Sequence, residues 1–111
     1  MVKYSEADLD RTFSALADPT RRALLARLGR EDGVSVSELA EPFPVSLPAI
    51  MKHLNVLSDA GLIRREKSGR TVTCRLNAAP LADAMAWLDF YQRFWSAQLD
   101  RLADFVENEP T

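Results

Sequence analysis

One cysteine and one histidine occur in the 111 residues of this chain, Cys74 and His53. A lone thiol closes no internal disulfide, which points to a reducing compartment. A lone imidazole, with no nucleophile and acid matched to it, gives no catalytic constellation, so no enzyme activity is expected. One sulfur and one imidazole are too few for a zinc or arsenic site unless subunits share them. Neither a metal nor any other cofactor is therefore expected. The four glycines fall in no phosphate-cradling spacing. No apolar run reaches the roughly eighteen residues that a membrane helix needs, so no membrane partner is expected. The opening MVKYSEADLDRTF lacks the apolar stretch of a secretory signal, and the expected location is the cytoplasm.

What is present is an ordinary core-forming composition, 47% hydrophobic and 27% charged, enough for a single domain over residues 1–111. The net charge of −2 hides an uneven distribution: residues 1–45 carry −2, residues 46–77 carry +4 and residues 78–111 carry −4. A basic middle between acidic flanks is a local footprint for a polyanion, because the local field counts for more than the overall balance. Chance clumping of surface charge is the bland alternative.

The first half of the chain reads as short capped helices. Ser5 with Asp8 makes a helix start, followed by Leu9, Phe13 and Leu16 at helical spacing. Asp18 fits an N-cap and Pro19 the first helical position. The second helix turns Leu24, Leu25 and Leu28 inward and ends at Gly29. Arg21 and Arg22 in its first turn read as a solvated face, with phosphate contact as the alternative. Ser35 to Glu38 matches a capping box and opens a short helix to about Glu41, and Val34 and Val36 can add a short strand. Pro42-Phe43-Pro44 closes that helix, with Phe43 plugging the core.

Ser46 caps the next helix, expected over 46–60, and Pro48 is tolerated in its first turn. At 100° per residue Ile50, Leu54 and Leu57 share the core side, while Pro48, Met51, Lys52, Asn55 and Asp59 lie opposite. Asn55 and Lys52 can bond base edges or phosphates, and Met51 and Pro48 can touch thymine methyls. A short helix, a turn and a second helix with a polar outer face make a helix-turn-helix. Gly61 stops the helix. Two basic strands then span 62–76, joined by a turn at Ser68-Gly69. A basic hairpin directly after a recognition helix is a wing. Arg64, Lys67, Ser68 and Arg70 on it are expected to meet the backbone of double-stranded DNA. His53 flanks the buried side of its helix and reads either as a structural histidine or as a phosphate or pH-responsive contact. Cys74 reads as a buried strand cysteine, with a redox switch as the alternative.

The last helix is expected from about Leu81 to Phe105. Leu81, Ala84, Leu88, Tyr91, Trp95, Leu99, Leu102 and Val106 recur at spacings of three and four, and Trp87, Phe90 and Phe94 add a second apolar side. So much apolar surface on one helix exceeds what a small domain covers, and predicts self-association as a two-fold dimer. The expected fold is thus mainly α with a small β-hairpin: a dimeric winged helix-turn-helix of about five helices with a two- or three-stranded wing.

The order of parts resembles the ArsR-like winged-helix transcriptional repressors. The matching stretches are Leu16-Ala17-Asp18-Pro19-Thr20-Arg21-Arg22, Ser37-Glu38-Leu39-Ala40, Val45-Ser46-Leu47-Pro48-Ala49-Ile50, Lys52-His53-Leu54-Asn55-Val56-Leu57, Ala60-Gly61-Leu62-Ile63 and Gly69-Arg70. The aromatic final helix resembles a branch without metal sites. Residues 36–41 lack the cysteine pair of metal-sensing members, and residues 78–111 contain no histidine. The resemblance implies a homodimeric repressor that binds inverted half-sites through Ser46, Leu47, Pro48, Met51, Lys52, His53, Asn55 and the wing. Ser46, Pro48 and Lys52 carry over most directly, because polar residues are common in the family where Leu47 and Met51 stand. The implied dimer helices are 1–17 and 79–106, through Leu9, Phe13, Leu81, Leu88, Tyr91, Trp95, Leu99 and Leu102. An inducer, if one acts, is a small molecule that the sequence does not identify. The alternative function is an interaction module, or a small-ligand or redox sensor, using the aromatic C-terminal helix.

Overall fold

The computed structural model describes residues 5–108. The first four residues of the expected 1–17 dimer segment and the last three of the tail lie outside the described residues. In chain order the elements are α1 (Glu6–Leu16), α2 (Pro19–Arg30), β1 (Val34–Ser35), α3 (Val36–Ala40), α4 (Leu47–Asp59), β2 (Ile63–Ser68), β3 (Thr71–Leu76) and α5 (Ala79–Glu107). Five helices and a three-stranded antiparallel sheet in the order β1-β3-β2 make the expected winged helix-turn-helix.

Local chemistry sets the helix starts. Ser5, Asp18, Ser35 and Ser46 each accept a backbone N–H from three residues on, at 3.0, 3.0, 3.2 and 3.3 Å. The Ser35 hydroxyl also donates to Glu38 Oε1 at 3.1 Å, closing the box. Helix α2 runs one residue past Gly29, because Glu31 N–H still reaches the Arg27 carbonyl. Gly61, at φ +73°, ends α4 in the left-handed conformation that suits glycine.

The wing turn sits one residue later than its expected place. Ser68 pairs with Thr71, so the turn residues are Gly69 and Arg70. Gly69 takes φ +60° at the first turn position and Arg70 stays negative, as in a type II′ turn. Glycine there lets Ser68 remain in the ladder and puts Arg70 at the tip.

Arg22 is exposed, as expected of a solvated face, while Arg21 is half-buried, and both are bonded to the chain. Arg21 donates from Nε to the Ala15 carbonyl at 2.7 Å and from Nη2 to the Ser14 carbonyl at 3.0 Å. Arg22 Nη1 donates to the Leu16 carbonyl at 2.7 Å. These carbonyls belong to the last turn of α1, where no further turn follows and, among the described residues, only the Ser14 carbonyl also accepts a backbone N–H, that of Ala17 at 3.2 Å. The two guanidinium groups cap it instead, and they fix the corner between α1 and α2.

The core gathers Leu24, Leu25 and Leu28 of α2, Leu39 of α3, Ile50, Leu54 and Leu57 of α4, and Leu62, Ile63 and Cys74 of the wing. Phe43 and Leu81 pack against it half-buried. Helix α1 lies on the first turns of α5, where Phe13 meets Trp87 edge-on with ring centres 5.6 Å apart. Beyond those turns α5 extends away from the core, and the molecule measures 69 × 35 × 22 Å. Phe94, Trp95, Leu99, Leu102, Phe105 and Val106 are 57–68% exposed there.

Truncation on the two sides of α4 should have opposite consequences for stability. Leu54→Ala leaves a cavity in a fully sealed site and is expected to cost about 2–5 kcal/mol. Lys52→Ala, on the exposed side, should stay within about 0.5 kcal/mol of the parent chain. Urea denaturation of both variants checks this.

Candidate nucleic-acid interface

Helix α4 is seated by Ile50, Leu54 and Leu57, all with no exposed surface. This fixes which side chains point outward. Leu47, Pro48, Lys52 and Asn55 are exposed, and Met51 is half-buried against the core. Ser46 is exposed at the N-terminus, with its oxygen holding the cap. The N-terminal end of α4 is therefore open to a partner, and its remaining side is locked.

His53 is committed inside the chain. Its Nδ1 lies 3.3 Å from Arg21 Nη1 and 3.8 Å from Asp18 Oδ2. A neutral imidazole can accept the guanidinium N–H at Nδ1, which leaves Nε2–H as its only free donor. Arg21 thus joins the α1 C-terminus to α4. The Asp18 carboxyl is held below its ordinary value of 3.8, first by the backbone N–H of Arg21 and then by the charges of His53 and Arg21, against a desolvation effect in the other direction.

Strand alternation sorts the wing cations. Ile63 pairs with Leu76 and Arg65 pairs with buried Cys74, so Ile63, Arg65 and Lys67 share the sheet face toward the core and α4. Arg65 Nη1 donates to Asn55 Oδ1 at 2.7 Å and ties the wing to α4. Arg64 falls on the opposite face, beside Arg75, Arg30 and Asp32 in a surface cleft. Arg65, and not Arg64, therefore lies on the face shared with α4. The signal was available in the sequence: a period of two counted from apolar Ile63 selects Arg65. Arg75 pairs with Asp32 at 2.7 Å and Glu66 at 3.7 Å on the outer face. Lys67, Ser68 and Arg70 are exposed around the tip.

The expected dimer residues divide. Leu9 is buried within the chain and Leu81 packs on the chain's own core, so neither is presented outward. Phe13 is partly covered by Trp87. Leu88, Tyr91, Trp95, Leu99 and Leu102 are exposed along α5. Cys74 is fully buried, and desolvation pushes its thiol pKa up against the lowering charge of Arg65. Among the described residues no group of three or more His, Cys, Asp or Glu side chains is placed to hold a metal ion.

A family model described as a helix-turn-helix domain matches residues 16–66. The chain is 39% identical to the HTH-type transcriptional regulator Rv2034 of Mycobacterium tuberculosis, over 90% of each chain. It is 35% identical to the transcriptional repressor SdpR of Bacillus subtilis, over 72% of this chain and 88% of the relative. Among solved structures, an ArsR-like transcriptional regulator from Rhodococcus sp. RHA1 is 37% identical, with a TM-score of 0.69 over 93% of this chain and 96% of that one. The crystal structure of another ArsR family transcriptional regulator superposes with a TM-score of 0.77 at 47% identity, covering 86% and 97%.

Two measurements check the local electrostatics. A thiol-reactive dye should label Cys74 slowly at neutral pH in the folded chain and rapidly once denaturant is added. For Asp18 the folded pKa lies below the unfolded one, so the ionised form supports the fold. That support is complete above the ordinary 3.8 and is lost as pH falls through the depressed folded value. Denaturation curves of the parent chain and Asp18→Asn should therefore differ at neutral pH and converge in strong acid.

Proposed function

Because the chain belongs to the ArsR-like winged-helix transcriptional regulators, which bind DNA, we propose that it acts as a homodimeric repressor on an inverted-repeat operator, without a metal. The observation that carries this reading is the coincidence of two free surfaces. The N-terminal end of α4 and the wing tip are exposed within the segment of charge +4. Beyond Trp87 the aromatic side of α5 is left exposed by the other described residues.

Each surface has a physical use. Ser46, Leu47, Pro48, Met51 and Lys52 occupy the part of α4 that enters a major groove in a helix-turn-helix. Lys67, Ser68 and Arg70 follow the phosphate backbone and set register. The apolar face of α5 is larger than a monomer normally leaves in water. Leu88, Tyr91, Trp95, Leu99 and Leu102 pair with the same residues of a second copy, because a two-fold axis buries one patch against itself. The dimer places two recognition helices about 34 Å apart, one turn of duplex. The chain's likeness to transcriptional regulators supports a cytoplasmic, non-catalytic protein.

A second reading has its own observation. The exposed rings of α5 would equally suit a module that recruits another protein or encloses a small apolar molecule. The free cations at the wing tip favour the DNA reading. Selection of bound duplexes from a random pool separates the two, since a pure interaction module enriches no sequence.

Arg70→Ala should weaken binding to every duplex alike and lower the salt slope by about one unit. Unchanged affinity and slope in a gel-shift series would remove the wing from the interface. Trp95→Glu with Leu99→Glu should convert a dimer into a monomer in sedimentation, and a parent chain that already sediments as a monomer would contradict the pairing.

A further inference from the structure

We propose that the first turn of α4 reads its operator through thymine methyl groups, with Val45 and Leu47 joining Pro48 as an aliphatic reading surface. The proposal deepens the DNA-binding reading and rests on it.

Three polar side chains here, Ser46, His53 and Asn55, already have partners within the chain. Ser46 Oγ accepts the Ala49 N–H at 3.3 Å. His53 faces Arg21 and Asp18. Asn55 would read adenine by offering an acceptor and a donor side by side. Its Oδ1 already accepts from Arg65 at 2.7 Å. Lys52 is exposed but carries donors only, which suits a phosphate or a guanine.

Apolar surface fills the same end of the helix. Val45 is 47% and Leu47 52% exposed, and Pro48 is exposed beside them. A scattered exposed aliphatic needs no explanation. All three stand at the start of α4, the end that meets base edges in this motif. The apolar group that a major groove displays there is the thymine C5-methyl. Val45 and Leu47 belong neither to the buried core cluster nor to the partly buried residues packed against it. An aliphatic first turn therefore favours steps rich in thymine, with Lys52 and the wing fixing position on the backbone.

The test uses the full chain and a duplex enriched from a random pool, synthesised once with thymine and once with uracil throughout the half-sites. Affinity for the uracil duplex should fall roughly three- to fivefold for each methyl buried against the helix. A Val45→Ala, Leu47→Ala double variant, with its fold checked by thermal melting, should bind the thymine duplex more weakly and show a smaller thymine-to-uracil ratio. Equal affinity for both duplexes overturns the proposal while the DNA reading stands, as does an undiminished ratio in the double variant. Failure of the pool to enrich any sequence overturns both.

Discussion

Ile50, Leu54 and Leu57 are sealed from water on one side of a thirteen-residue helix, and the orientation of every other side chain on α4 follows from that seat. A helix of this length is marginal alone in water. It becomes rigid when its apolar stripe is closed by Leu24 and Leu28 of α2, Leu39 of α3 and Leu62 and Ile63 of the wing. Rotating it by one position would turn Ile50, Leu54 and Leu57 off the core and put Met51, Asn55 and Ser58, or Ala49, His53 and Val56, in their place. Close packing thus supplies the angular accuracy that a groove-reading helix needs.

Polar contacts then add direction to what packing alone leaves adjustable. Arg21 spends three nitrogens on the end of α1 and on His53, so the first helix pair and the recognition helix turn as a unit. On the other flank Arg65 holds Asn55 and carries the wing with it. The outer surface that results has two characters. Its cations stand at the wing tip and at Lys52, while its helix end is aliphatic. The first suits a uniform backbone and the second a base-edge feature, which is the division of labour expected between positioning and specifying contacts.

Much of this was legible in the sequence because it rests on short-range rules. Ser, Asp and Pro at helix starts, the three-four spacing of Ile50, Leu54 and Leu57, and the stop at Gly61 all appear where local chemistry places them. Long-range partners were not legible. Nothing near Arg21 in sequence announces that its guanidinium closes the preceding helix and meets His53, thirty-two residues away. Leu9 and Phe13 share a helical spacing, yet Leu9 is enclosed and Phe13 stays partly open, because only the packing angle of α5 decides between them. The wing shows a third kind of limit. The turn composition is symmetric between Ser68-Gly69 and Gly69-Arg70, and the pairing of Ser68 with Thr71 selects the second. Arg64 and Arg65 likewise look alike until strand alternation separates them.

In the proposed function α4 and the wing tip act as one surface toward a duplex, with α5 serving assembly. Backbone amide shifts of the isotopically labelled chain, followed as an enriched duplex is added, test that most directly. Shifts should concentrate at residues 45–55 and 65–71, with the C-terminal half of α5 unmoved. Shifts confined to α5, with α4 and the tip silent, would contradict it.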